Sequence, residues 1–247
     1  MKKAINIWLI VTGVLALVFG ILTYINRDSR GEAEYYEGDN TVEICNTIEL
    51  DLLKTDVRLI PSTEDRIRIK YKSIVPLSVM MGDNRLVIKE SDQFLVSFAV
   101  ADEESFGLEL YLPKNIYDNI TVYTSSGNVE VGRIDSYGIT VMTKSGAIDA
   151  DETRSLVQLS SGTGDISLHF DSVIDGSSVE TRRGNAEILF PRGSSVALAY
   201  ETETGKFESD LLTGSVEGSY MYSFSGGENL ISADVESGTL TVGAYDK

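Results

Sequence analysis

The stretch ITVYTSSGNVEV at residues 120–131 is followed at residues 139–150 by ITVMTKSGAIDA, and the two are one pattern written twice. With the first isoleucine as offset 0, apolar residues fall at 0, +2, +9 and +11, and glycine falls at +7. Apolar residues two apart in each half describe short strands with one face inward. The glycine between them is expected to supply the positive φ of a tight corner.

The pattern recurs along the chain. Copies begin at Ile48, Ile120, Ile139, Val157, Ser177, Leu198 and Ile231, with Gly127, Gly146, Gly164, Gly184, Gly205 and Gly238 as the glycines of the last six. The first copy has Thr55 in that place. From Ile120 the starts are 19, 18, 20, 21 and then 33 residues apart. A unit this small cannot bury its own apolar face, so copies must stack and share a core. The expected fold is all-β: a parallel β-solenoid with rungs of about 19–21 residues, one copy per turn, with an insertion near residues 218–229. The Leu198 copy, with Tyr200, Phe207 and Ser209 in otherwise aliphatic columns, is expected to form a distorted rung.

Upstream, residues 41–113 alternate less regularly and are expected to form the first rungs and a cap over the core, with Asp83-Asn84 as a hairpin tip. Residues 26–40 are polar and acidic, which reads as a spacer. Before them, Ala4 to Ile25 is a 22-residue run without charge, long enough to cross a hydrocarbon core about 30 Å thick. A cleaved secretory signal is the competing reading, but its apolar region is shorter and ends at a small-residue site, which Leu22-Thr23-Tyr24-Ile25 does not offer. Residues 1–25 are therefore expected to be a short cytoplasmic tip and a single transmembrane helix. Lys2 and Lys3 before the run favour the N-terminus inside and the remaining 222 residues outside the cytoplasm.

Charge narrows the partners. The chain carries a formal charge of −17, which becomes −19 beyond Lys2 and Lys3. Such a domain repels phosphate backbones, so nucleic acid is excluded as a natural partner, while an envelope protein, a cationic peptide or a glycan remains open. A single cysteine, Cys45, rules out an internal disulfide and reads as a small apolar residue in a strand.

Groups for catalysis are few. His169 is the lone histidine, read as a solvated or capping residue just beyond a second strand, and no cofactor motif occurs. Offset +10 points outward and holds Arg58, Glu130, Asp149, Ser167, Glu187, Glu208 and Thr241. With rungs about 4.8 Å apart, Glu130 is expected beside Asp149 and Glu187 beside Glu208. The row reads either as a solvated acidic face or as a weak ladder for divalent metal ions formed by those four carboxylates.

The run Ile60-Pro61-Ser62-Thr63-Glu64-Asp65-Arg66-Ile67-Arg68-Ile69, then Leu108-Glu109-Leu110-Tyr111-Leu112-Pro113, then the glycine-cornered copies, resembles a bacterial β-strand-repeat family catalogued as putative adhesins. Its anchored members include the LiaG proteins of Gram-positive cell-envelope stress operons. The resemblance covers about residues 42–245 and implies a non-enzymatic binding, adhesion or envelope-stress-related module at the cell membrane. It transfers no site residues. Two other readings stay open: a polysaccharide-acting β-solenoid enzyme, for which only Glu130 and Asp149 with Arg133 and Arg154 approach the needed carboxylate and base cluster, and a self-associating envelope scaffold.

Overall fold

The computed structural model describes residues 36–73, 75–91, 107–211 and 219–247. The expected transmembrane helix lies outside the described residues. Among those described, no helix is long and apolar enough to cross a membrane.

Among the described residues the regular structure is strand throughout. The first half holds β1 (Tyr36–Val42), β2 (Thr47–Asp51), β3 (Val57–Ser62), β4 (Ile67–Ser73), β5 (Leu77–Gly82), β6 (Arg85–Glu90), β7 (Gly107–Pro113), β8 (Asn119–Thr124), β9 (Val129–Val131) and β10 (Gly138–Thr143). The second holds β11 (Ile148–Thr153), β12 (Leu156–Ser161), β13 (Ile166–Phe170), β14 (Ser177–Arg183), β15 (Ala186–Pro191), β16 (Val196–Glu201), β17 (Lys206–Ser209), β18 (Tyr220–Phe224), β19 (Asn229–Ser237) and β20 (Thr239–Tyr245).

Each copy of the pattern gives its first strand to one sheet and its second to another. Sheet A runs β1-β4-β7-β3-β9-β11-β13-β15-β20-β17, and sheet B runs β18-β16-β19-β14-β12-β10-β8-β2-β6-β5. The register follows the repeat: Ile139 lies between Ile120 and Val157, and Ile148 between Val129 and Ile166. The apolar columns thus meet between the sheets, where Ile120, Val122, Val141, Ala150, Leu168, Ile188 and Val242 are fully buried. Ser177, the one polar residue at offset 0, is also buried, and its hydroxyl donates to the Ile174 carbonyl at 2.9 Å.

The structure departs from a simply wound parallel solenoid in two ways. First, the sheets are mixed: β4 pairs antiparallel with β7, β1 with β4, β5 with β6 and β18 with β16, so antiparallel strands close three of the four sheet margins. Second, stacking does not follow chain order at either end. The β6–β7 layer lies outside β2–β3, which itself pairs with β8 and β9. At the far end, β19–β20 slides between β14–β15 and β16–β17.

That intercalation corrects the expectation of a distorted rung at Leu198. The β16 and β17 strands keep register with β19 and β20 and form the terminal layer. Phe207 is fully buried, with its ring 5.3 Å from Tyr200 and stacked 5.0 Å from Tyr222 of β18. Aromatic bulk closes the end of the core, where no further rung supplies aliphatic neighbours. The expected insertion around 218–229 contains this covering strand, β18.

The corner glycines are correct in position, but not for the expected reason. Of the six, only Gly238 has a positive φ. They are required because each passes under the backbone of the neighbouring rung: a Cβ on Gly127, Gly146, Gly164, Gly184 or Gly238 would fall well inside 3.0 Å of the carbonyl oxygen of Thr55, Gly127, Gly146, Gly164 or Gly184 respectively. The Thr or Ser three residues earlier completes the corner. Thr124, Thr143 and Thr202 accept the glycine N–H at 3.0, 2.8 and 2.7 Å, and Ser161 and Thr181 donate to the carbonyl of the preceding copy's glycine, Gly146 and Gly164, at 2.9 and 3.1 Å.

Two smaller expectations resolve at the N-terminal end. Asp83 and Asn84, at φ 50° and 60°, form the two-residue turn between β5 and β6, as positive φ at both positions of a tight hairpin requires. Part of the expected spacer is structured. Strand β1 begins at Tyr36 and lies on β4, held by the Arg68 fork on Asp39 at 2.7 and 2.6 Å and by Lys72 on Glu37 at 3.4 Å. Cys45 is buried just before β2, and burial raises its thiol pKa.

Candidate functional site

The outward row of sheet A differs from its expected form. Glu130 does lie opposite Asp149, but its carboxylate is 3.1 Å from the Arg58 guanidinium, which also approaches Glu109 at 3.6 Å. Glu187 and Glu208 are not neighbours. Thr241 stands between them, paired in register with both, because β20 intercalates. Glu187 instead approaches the His169 ring at 3.8 Å, with Asp151 at 3.3 Å on the other nitrogen. His169 lies within β13, not beyond it. Asp165 serves the fold: its carboxylate accepts the Asn185 N–H at 2.7 Å, and Asn128 and Asn185 receive the Ala147 and Thr239 N–H groups in the same way. Among the described residues, no group of three or more His, Cys, Asp and Glu side chains is arranged to hold a metal ion.

Arg133 and Arg154 do not join Glu130 and Asp149. They converge on Asp171, with Lys247 as a third cation at 2.7 Å. The Lys247 and Arg154 hydrogen bonds hold the Asp171 carboxyl down at a pKa of about 2. Glu152, at φ 48° in a bulge of β11, pairs with Arg133 at 3.3 Å. This cluster ties the final strand to the stack, as does the Tyr245 hydroxyl donating to the Phe170 carbonyl at 2.7 Å. It has the character of a structural lock.

A concave feature lies on sheet B, where the repeat alone gave no signal. Outward side chains of β10, β12, β14, β19 and β16, with β18 as one wall, surround a groove of about 610 Å³. Register places Asp234 directly between Glu180 and Glu201, three carboxylates on adjacent strands. Burial, reinforced by Glu201, Glu180, Glu236 and Glu203, raises the Asp234 pKa. Met142, Tyr220 and Met221 are exposed around the same groove, and Met221 keeps 70% of its surface in water. An acidic row beside flexible apolar side chains suits a cationic, amphipathic segment.

Comparison with known proteins agrees with this architecture. The family model described as Toastrack DUF4097 matches residues 45–155. No curated protein matches the chain. The crystal structure of a putative cell adhesion protein from Clostridium sporogenes superimposes with a TM-score of 0.53 at 15% identity, covering 86% of this chain and all of that one. A putative adhesin from Bacteroides fragilis is more distant, with a TM-score of 0.35 at 12% identity over 86% of this chain and 97% of its own. The resemblance drawn from the repeat holds at the level of fold: residues 45–155 match the Toastrack DUF4097 family model, and the architecture is similar to that of a protein described as a putative cell adhesion protein.

Proposed function

We propose that the chain is a membrane-anchored, extracytoplasmic binding module without catalysis, whose groove on sheet B takes a cationic segment of an envelope partner. One observation carries this reading: the registered row Glu180, Asp234 and Glu201 shares a groove of about 610 Å³ with the exposed apolar groups of Met142, Tyr220 and Met221. The uncharged run from Ala4 to Ile25 supports the anchor, and the fold shared with a protein described as a putative cell adhesion protein supports binding as the role. The enzyme alternative loses its best cluster, since Arg133 and Arg154 are engaged with Asp171.

A fluorescent peptide alternating Lys and Leu tests the groove by polarisation with the full chain in neutral detergent. Saturable binding that weakens with salt, and falls at least tenfold in Glu180→Gln/Asp234→Asn/Glu201→Gln, supports the proposal. Binding equal in that variant overturns it. Protease added to protoplasts should remove the β domain. Protection until lysis overturns the topology.

A further inference from the structure

The corner row on the glycine edge carries a second feature, of opposite sign. At offset +5 the side chains read, in spatial order, Ser125, Lys144, Gly162, Arg182 and Glu236. Gly162 leaves a gap in that row, and the gap is built in: a Cβ there would lie 2.5 Å from the Lys144 carbonyl oxygen. Thr163 and Arg183 follow at the next position, and the resulting notch of about 420 Å³ is lined by Lys144, Gly162, Thr163, Arg182, Arg183 and Glu236.

We propose that this notch binds the phosphate group of a small soluble ligand. Its lining has three cations and one carboxylate, a net charge of +2 in a chain of −17. Glu236 approaches Arg182 at 3.6 Å, while Lys144 and Arg183 form no ion pair among the described residues. Elsewhere Arg58, Arg68, Arg133, Arg154 and Arg192 are all paired with carboxylates.

Spacing fits the same ligand. Two rung steps of about 4.8 Å separate the strands bearing Lys144 and Arg182 by about 10 Å. One oxyanion, with charge-assisted contacts of about 2.8 Å on each side, fills that gap. Guanidinium forks match the oxygens of a phosphate in pairs, and a dianion neutralises the +2 of the lining. The Thr163 hydroxyl, which donates to the Lys144 carbonyl at 3.4 Å, lines the notch beside these cations. The net charge of the whole molecule opposes a long polyanion, and Glu236 and Glu203 follow Arg182 along the row, so a small phosphate ester is the matching class.

Equilibrium dialysis of the full chain in neutral detergent, with labelled orthophosphate and then glycerol 3-phosphate at fixed ionic strength, tests the site. The expected result is saturable binding at one equivalent. Lys144→Gln/Arg183→Gln should weaken it at least tenfold, Arg183→Lys severalfold, and Lys89→Gln not at all. All three positions are exposed or half-buried, and unchanged melting curves would show that the variants fold. Absence of saturable binding, or binding indifferent to Lys144→Gln/Arg183→Gln, overturns the proposal. Retention on phosphatidic acid vesicles with neither soluble phosphate bound also overturns it, because the source would then be a lipid headgroup.

Discussion

Gly146 runs so close beneath Gly127 that a methyl group on the first would overlap the carbonyl oxygen of the second. The same contact repeats from Gly164 to Gly146 and from Gly184 to Gly164, so the corner is a column of backbones in contact. Gly146→Ala should therefore destabilise the fold by about 3 kcal/mol, the cost of overpacking where only backbone can move. Gly193, at φ 88° with open space around its Cα, offers the contrast, and Gly193→Ala should cost about 1 kcal/mol from φ alone. Urea midpoints of the two variants check the order, and a smaller loss for Gly146→Ala would refute the column.

The exchange of the last two layers is directly testable by cross-linking. Ser178 lies opposite Ser232, and Ser232 opposite Ala199. Neighbouring parallel strands fall within disulfide range, whereas two steps of about 4.8 Å exceed the ~7 Å limit. Ser178→Cys/Ser232→Cys should oxidise readily and Ser178→Cys/Ala199→Cys should not. The opposite result would restore simple chain-order winding.

Phe207 plugs the end of the core between Tyr200 and Tyr222. Phe207→Ala should cost about 3–5 kcal/mol, the range for a fully buried aromatic. Thermal melts should show it, and a loss below about 1 kcal/mol would mean that the terminal layer is not part of the cooperative core.

Asp171 predicts a pH response. Its folded pKa, about 2, lies below the ordinary value of 3.8, so its contribution is present above pH about 4 and disappears as pH falls toward 2. Asp171→Asn should lower the melting temperature at pH 7 and converge with wild type near pH 2. A constant difference across that window would assign the loss to packing.

What was legible in the sequence follows from what each residue answers to. Core columns such as Ile120, Ile139 and Val157 answer to burial, and their period of two revealed the strands and the sheet faces. The glycine column was visible by position, but its cause was not, because a close approach between rungs leaves no trace distinct from a positive φ. Layer order was hidden: all copies present the same faces, so nothing local distinguishes a neighbour in sequence from one in space. Strand β1 was missed because it is an exposed margin held by Arg68 and Lys72, with no apolar alternation to read. The groove was missed for a related reason. Its walls come from β10, β12, β14, β16, β18 and β19, and Asp234 reaches the side of Glu201 only through the exchanged layers.

That exchange also bears on the calcium question. A divalent ladder on sheet A needs unbroken carboxylates on successive strands. Glu130 has its counter-charge in Arg58, and Thr241 separates Glu187 from Glu208, leaving Glu130 and Asp149 as the only directly opposed pair of the four. Millimolar calcium should then raise the melting temperature no more than sodium chloride at matched ionic strength, since both act by screening like charges. A ligand that bound only the folded state at a hundred times its Kd would add about 2.7 kcal/mol, an excess easily resolved. Should calcium show such an excess, Arg58→Gln would identify the origin: a gain in the calcium effect places the ion at Glu130 and Asp149, and no change moves it off that pair.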